Sequence, residues 1–303
     1  MSNESRGAML SKAGWRRSIY FKPLLVILGI AALGLSIRFG WHYLINLDTF
    51  KVKPGTFSFE LPSWAKVELL DEIKKAPILT KSHSIFEKDL TKKIAEAYSA
   101  KPWVEKVHYV KKEFPNKIKI KFSLRKPFVR LRRIEKGTSF YLLDGECVRL
   151  SEKYYYWPDD DPEALFIQSN KLSKAPAYGE KWEDAGIQGG VNLVRFLRKN
   201  KVHKLLNITI IDVSNVTPPP NPPPAGGRVG VRGAKSDIVL ITKKGAQIKW
   251  GRSPAPGGFK MHGELSDAEK LQNLLSVARV EGRNLRRMEY VDVRWDIPQG
   301  KLH

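Results

Sequence analysis

Near its N-terminus the chain carries its longest apolar run, residues 24–45, where hydrophobic side chains fill most of 22 consecutive positions. As an α-helix such a run is about 33 Å long, close to the roughly 30 Å hydrocarbon thickness of a bilayer. Two polar side chains, Arg38 and His42, fall in its last two turns, where they can reach the lipid headgroups. The run therefore predicts one transmembrane helix.

The flank that precedes this run is basic. Residues 1–23 hold five Lys or Arg side chains against Glu4 alone, so the positive-inside rule predicts a cytoplasmic tail and places the rest of the chain outside. A cleaved signal peptide is the alternative, because the uninterrupted apolar part, residues 23–37, is short. No small-residue cleavage site precedes a polar start, which favours an uncleaved anchor.

Beyond the span, alternating residues 54–62 predict a strand, and residues 63–75 show a short helical pattern with Val67 and Leu70 on one face. The spacing of Ser84 and Glu87 then matches a capping box and predicts the start of a second helix. The apolar stripe of that helix is Phe86, Leu90, Ile94 and Tyr98.

A hairpin follows, with strands at residues 104–114 and 117–125 around a Pro115-Asn116 turn. In the second strand, apolar residues at alternate positions predict one buried face and one face of lysines. The apolar set is Ile118, Ile120, Phe122 and Leu124.

From residue 128 onward, short strand patterns alternate with two helical ones, the last opened by a capping box at Ser266 and Glu269 and closed by Gly282. The strand patterns cover residues 140–150, 165–170, 208–215, 236–251 and 290–295, and the first helical pattern covers residues 191–200. The predicted fold class is α+β, with a β-α-α-β-β domain and then a mixed or antiparallel β domain with flanking helices. The predicted boundaries are 46–127 for the first domain, 128–299 for the second with a proline- and glycine-rich loop at 216–233, and 300–303 for a C-terminal tail.

Composition adds a strong positive charge, with 53 Lys and Arg against 31 Asp and Glu and a formal net charge of +22. The densest basic stretch, residues 101–136, has 13 Lys and Arg against three Glu. Nucleic-acid binding would call for aromatic residues on the same solvent face, whereas Phe122 belongs to the apolar face. A solvated face that steers the chain toward a membrane or a partner is the favoured interpretation.

Chemistry-bearing residues show no grouping that an enzyme would need. The six His lack metal-ligand spacing, the consecutive Asp at 159–161 lack that of a calcium loop, and the glycines at 226–233 lack a following Gly-Lys-Ser/Thr. The solitary Cys147 excludes an intrachain disulfide and is expected to be buried. We therefore expect no catalytic, cofactor or metal site.

Residues 84–131 resemble the POTRA domain of the FtsQ/DivIB cell-division family, in which a Phe-x-x-Asp-Leu helix start precedes Pro-Trp-Val, a basic strand and a proline turn. The matching positions are Phe86, Asp89, Leu90, Pro102, Trp103, Val104, Pro115, Lys126 and Pro127. The resemblance continues through the second domain of the family, in residues 140–150, 236–251 and 290–295. Two stretches depart from it, the loop 216–233 and the YYYWPDDD segment around Trp157.

The resemblance implies a non-enzymatic divisome scaffold in the inner membrane, concentrated at midcell, that links early cytoplasmic division proteins to septal peptidoglycan synthesis. The implied partners are FtsB- or DivIC-like and FtsL-like single-pass proteins, with FtsK-, FtsW- and FtsI-like divisome members beyond them. Neither nucleic acid nor a small-molecule substrate is expected.

Partner binding is expected by β-strand addition at the edge formed by the last strand, residues 290–295. By motif, the implied contacts are Arg294 and Trp295, with Tyr290 and Ile297 as neighbours. The structural alternative is that Trp295 lies in the core and Arg294 pairs with Asp292 or Asp296.

Two other functions stay open at this point. POTRA modules also receive polypeptides in secretion and outer-membrane biogenesis, which makes an envelope-biogenesis accessory protein the main alternative. A lipid- or cell-wall-binding accessory enzyme is the third, and the missing catalytic grouping weighs against it.

Overall fold

The structure is a computed structural model that describes residues 10–52, 61–75, 82–133, 140–156, 165–216, 238–252, 264–282 and 285–303. The predicted strand at 54–62 falls mostly outside these residues, as do Asp159–161 and nearly all of the loop 216–233. The helices are α1 Leu10–Asn46, α2 Val67–Lys74, α3 Leu90–Ser99, α4 Ala185–Lys199, α5 Val202–Leu205 and α6 Asp267–Glu281. The first strands are β1 Lys51–Val52, β2 His83–Ser84, β3 Val104–Glu113, β4 Lys117–Leu124, β5 Val129–Arg133, β6 Phe140–Leu143 and β7 Arg149–Leu150. The remaining strands are β8 Phe166–Ser169, β9 Ile208–Asp212, β10 Ile238–Thr242, β11 Gln247–Gly251, β12 Met288–Asp292 and β13 Gln299–Leu302.

The apolar run near the N-terminus forms the second part of α1, as predicted. From Pro23 to Asn46 the helix is long and apolar enough to cross a membrane. Side chains 23–44 are exposed in the isolated chain, which is the arrangement a lipid-facing helix requires.

The chain divides into two compact units. One comprises Met1–Phe57, Ala76–Glu96 and Tyr109–Lys121, and the other comprises Ser58–Lys75, Ala97–His108 and Phe122–His303. In the first unit, β1 and β2 pair antiparallel, with Lys51 opposite Ser84.

The two short helices confirm part of the predicted pattern and correct the rest. Leu90, Ile94 and Tyr98 are buried along α3, as expected. In α2 the buried positions are Leu69 and Ile73, whereas Val67 is exposed. The prediction of a buried face with Val67 and Leu70 was therefore wrong, because the helix buries Leu69 and Ile73, which are four positions apart, and leaves Leu70 half-buried.

The hairpin of β3 and β4 forms as its alternation predicts. Along β4, Ile118 and Leu124 are buried, and Lys117, Lys119 and Lys121 are exposed. Where β3 begins and β4 ends, the rings of Tyr98, Trp103 and Phe122 lie within 6.0 Å of one another. Trp103, which follows α3 and Pro102, therefore packs in an aromatic cluster between α3 and the hairpin.

The second unit is built on a mixed nine-stranded sheet in the order β13-β12-β11-β10-β9-β8-β5-β6-β7. Neighbours pair antiparallel except for β5–β8, β8–β9 and β11–β12, which are parallel. Crossover connections through α4 and α6 supply two of these parallel pairs, as the geometry of parallel strands requires.

Helices α4 and α6 contribute to one continuous core with the inward positions of the sheet. The Asp184 side chain caps α4 by accepting from Gly186 and Ile187. Ser266 and Glu269 form the predicted capping box at the start of α6, and Gly282 ends the helix with φ at 89°. The sequence thus specified both ends of α6 through local hydrogen bonding and backbone freedom.

Candidate partner-binding edge of the sheet

The strand predicted as the open edge is an inner strand. β12 ends at Asp292 and pairs on one side with β11 and on the other with β13. The expectation that residues 290–295 form the border of the sheet was therefore wrong. The last four-residue strand, β13, takes that place, although residues 300–303 were predicted to be a tail.

β13 ends the sheet and is exposed at all four positions, Gln299–Leu302. It lies antiparallel to β12, with Asp292 opposite Gln299 and Val291 opposite Gly300. Among the described residues, no strand lies beyond it. Its outward backbone N–H and C=O groups are a template for another extended chain.

The opposite border of the sheet is closed by the protein itself. There the Arg149 N–H of β7 donates to the Glu180 carbonyl at 3.0 Å, and the Gly179 N–H donates to the Arg149 carbonyl at 2.8 Å. These bonds leave β13 as the accessible end of the sheet within the described part of the chain.

The segment between β12 and β13 carries three of the four predicted contact residues and is anchored to neighbouring backbone. The Leu265 N–H donates to the Arg294 carbonyl at 3.0 Å, and the Asn273 side chain donates to the Trp295 carbonyl at 2.8 Å. The loop position is therefore defined by α6 and the residues that lead into it.

Arg294 pairs within the chain, as the structural alternative proposed for it. Its Nε and Nη2 donate to Asp292 Oδ1 and Oδ2 at 2.9 and 2.7 Å. Burial opposes ionisation of Asp292, but the hydrogen bonds from Arg294 and the charges of Arg294 and Lys249 outweigh it and hold the pKa of this carboxyl below its ordinary value. Arg294 therefore braces the turn after β12.

Trp295 does not lie in the core, since 42% of it is exposed. The Arg294 guanidinium carbon lies 5.5 Å from its ring centroid, which restricts the indole without covering it. Ile297, in the same loop, is 77% exposed. Two large apolar side chains thus stand in solvent beside an open strand, as in protein-binding patches.

Tyr290, the fourth predicted contact, is half-buried on β12, and the Lys249 ammonium lies 4.0 Å from its ring centroid. It belongs to the sheet face and not to the loop. The structure therefore brings Arg294, Trp295 and Ile297 together and places Tyr290 apart from them.

Sequence reasoning missed the strand itself. Leu302 is 54% exposed at the end of β13, and Lys301 forms an ion pair with Glu289 across β12 and β13. The Gln-Gly-Lys-Leu sequence has no alternation and little β propensity. The pairing with β12 is what makes it a strand.

In the described part of the chain, no three His, Cys, Asp or Glu side chains are grouped to hold a metal ion. Cys147 is buried, as expected, and burial raises the pKa of its thiol to about 11. A thiol that stays protonated at neutral pH is a poor nucleophile.

Fold and site together define an α+β protein with an N-terminal apolar helix, a large mixed sheet and an exposed strand at one border. No protein-family model matches the chain. No curated protein matches it either.

Proposed function

We propose that the protein is a membrane-anchored, non-enzymatic scaffold of bacterial cell division, of the FtsQ/DivIB type. It binds FtsB- or DivIC-like and FtsL-like single-pass partners on the outer side of the inner membrane and supports septal peptidoglycan synthesis from midcell. FtsK-, FtsW- and FtsI-like proteins are more distant members of the same assembly.

The open border at β13 is the observation that carries the proposal. A partner strand laid against it would gain backbone hydrogen bonds, while Trp295, Ile297 and Leu302 provide apolar contacts for its side chains. Large apolar side chains beside an extended backbone are the components of an interface with few dominant residues.

The N-terminal elements also support the proposal. The order α2, α3 and the β3–β4 hairpin agrees with a POTRA module, and the Pro102-Trp103-Val104 motif stands where the helical part meets the hairpin. Trp103 and Val104 are buried, and the Trp103 ring contacts Tyr98 of α3 and Phe122 of β4. α1 supplies a membrane anchor.

A role in handling polypeptides during envelope biogenesis would use the same open border, and it is the alternative that the experiments must separate. Such a protein would accept extended chains of many sequences, whereas a division scaffold requires a defined partner and acts at the septum.

Replacing Leu302 tests strand addition directly. The His303 N–H donates to the Arg287 carbonyl of the neighbouring chain segment, so the preceding N–H, that of Leu302, points outward by alternation. Leu302→Pro removes this donor and leaves the β12 ladder intact, and we expect a loss of about tenfold or more in affinity for the FtsB- and FtsL-like partners of the same organism.

Leu302→Ala is the matched control, because it shortens the side chain and keeps the N–H. Affinities would be measured by titration in nanodiscs, with unfolding temperatures alongside. Equal affinities for Leu302→Pro and the native chain, at unchanged stability, would exclude strand addition at β13.

Depletion in the native organism separates the two cellular roles. The division role predicts filamentous cells and a fluorescent fusion concentrated at midcell. Cells that divide normally, with a uniform envelope signal, would exclude it and leave the envelope-biogenesis role.

A further inference from the structure

A line of aromatic rings connects the end of α1 to the tip of the β3–β4 hairpin. Trp41 lies 5.7 Å from Phe86, and Phe86 lies 5.6 Å from Phe114, measured between ring centroids. Phe50 adds a ring 5.1 Å from Phe86. All four residues belong to the first unit.

Hydrogen bonds hold the segment that carries Phe86 to the end of α1 on one side and to β3 on the other. The Ser84 hydroxyl donates to the Ile45 carbonyl at 3.2 Å, and the Ile85 N–H donates to the Phe50 carbonyl at 2.9 Å, so the segment before α3 is fastened to the end of α1. Lys112 Nζ on β3 donates to the Glu87 carbonyl at 2.6 Å. The hairpin end is therefore held beside the last turns of α1.

This attachment keeps the hairpin tip close to the last turns of α1. Trp41 stands five residues before the end of the apolar helix, about 7.5 Å along its axis, at the level where indole rings favour the membrane interface. Phe114, two ring contacts away, is 65% exposed in the turn between β3 and β4. The ring of Phe114 therefore lies within about 11 Å of the ring of Trp41.

The strands beside this tip are basic. Residues 109–121 contain five lysines and one acidic residue, Glu113. With a rise of about 3.4 Å per strand residue, Lys117 and Lys119 lie within roughly one Debye length of the tip at physiological salt. Their charge is therefore close enough to the interface to interact with lipid phosphates.

From these contacts we infer that the tip of the β3–β4 hairpin docks on the bilayer that α1 spans. Phe114 enters the interface, and Lys111, Lys117 and Lys119 bind anionic phospholipid headgroups. The proposed lipid contact involves one defined part of the basic stretch 101–136, the tip of the hairpin. It depends on α1 as a membrane span and is independent of any role in division.

Anionic lipid is the occupant that the geometry selects over an acidic protein. Phe114 at the hairpin tip contacts Phe86, which contacts Trp41 on the apolar helix. The neighbouring lysines therefore approach the membrane together with the Phe114 ring. A contact with a soluble acidic partner would place no requirement on Phe114 near α1.

A spin label at the tip measures the docking. Asn116→Cys provides the attachment site in the hairpin turn, and the native Cys147 is buried with a raised thiol pKa, so it can stay in place. The full chain would be placed in nanodiscs of phosphatidylcholine with or without one third phosphatidylglycerol. Accessibility to a water-soluble nickel complex would then be read by power saturation, with Lys244→Cys in the exposed β10–β11 turn as the reference position.

We expect the label at residue 116 to be shielded from nickel in phosphatidylglycerol discs and more accessible in phosphatidylcholine discs or at high salt. Replacing both Lys117 and Lys119 by Gln should lower the ratio of docked to undocked hairpin about thirtyfold. Each lysine near an anionic surface contributes about 1 kcal/mol, which changes this ratio roughly fivefold. The matched control, Lys243→Gln with Lys244→Gln, should leave the shielding unchanged.

Two results would overturn the inference. One is a label at residue 116 as accessible to nickel as the reference label in phosphatidylglycerol discs. The other is shielding that neither lipid charge nor the Lys117 and Lys119 replacements alter, since protein contacts would then account for it.

Discussion

Trp295 and Arg294 are adjacent in sequence and differ in what their side chains can offer a partner. The Arg294 guanidinium donates two hydrogen bonds to Asp292, so it stabilises the loop after β12. Trp295 keeps much of its indole in solvent while its carbonyl is held by Asn273. A large, positioned and exposed ring is the stronger interface residue of the two.

Trp295→Ala should therefore weaken binding of the FtsB-like partner by about 2 kcal/mol and leave thermal stability near that of the native chain. The reason is that truncation removes contact area from the surface and creates no internal cavity. Titration calorimetry and a thermal melt on the same preparation would measure both effects.

Tyr156→Ala is the control for loss of an exposed aromatic ring, since Tyr156 is 52% exposed and lies outside the C-terminal loop. Native affinity of the Trp295→Ala variant, or a large drop in its melting temperature, would show that Trp295 is not a contact residue.

The two Ser-x-x-Glu motifs show how well local sequence predicts where a helix begins. At Ser266 and Glu269 both reciprocal hydrogen bonds form and α6 begins there. At Ser84 the hydroxyl donates to the carbonyl of Ile45, Glu87 pairs with His83 and Lys93, and α3 begins only at Leu90. The spacing is equal, and tertiary contacts decide which one caps a helix.

Ser266→Ala should lower the free energy of unfolding by about 1 kcal/mol, because it leaves the Glu269 N–H at the start of α6 without its side-chain acceptor. Ser276→Ala, within the same helix, removes an exposed hydroxyl that bonds only to Asn273 and should change stability little. Denaturant unfolding of the two variants would compare them, and equal losses would argue against a capping contribution.

The strands likewise show where a local pattern predicts an element and where tertiary contacts decide it. The alternation in residues 117–125 predicted β4 with its buried and basic faces, because one side of that strand meets a core. β13 gave no such signal, since its four exposed residues bury no apolar face and depend on hydrogen bonds to β12. The sequence therefore predicted the border of the sheet at residues 290–295, whereas β13 forms that border in the structure.

At the scale of the whole molecule, α1 is the helix that is long and apolar enough to cross a membrane. Its apolar part is exposed along its length and preceded by basic residues. A retained anchor and a cleaved signal peptide differ in what stays with the membrane.

We expect the full-length 34.5 kDa chain, still carrying an N-terminal tag, to remain in the membrane pellet after alkaline carbonate extraction. Alkaline phosphatase fused after His303 should be active, because it would lie outside the cytoplasm, and the same enzyme fused before Met1 should be inactive. A shortened, extractable protein would identify the apolar run as a signal peptide, and the opposite reporter pattern would reverse the orientation.

Hydrophobic periodicity, helix capping and charge placement were enough to predict the α+β class, the apolar helix, the β3–β4 hairpin and the ends of α6, because each depends on neighbours within a few residues. The border of the sheet, the pairing of Arg294 with Asp292 and the ring contacts of Phe86 with Trp41 and Phe114 depend on chain segments that meet only in the folded protein. Strand order follows from which backbone groups find partners, and a short exposed strand carries no apolar pattern to reveal that partner in advance.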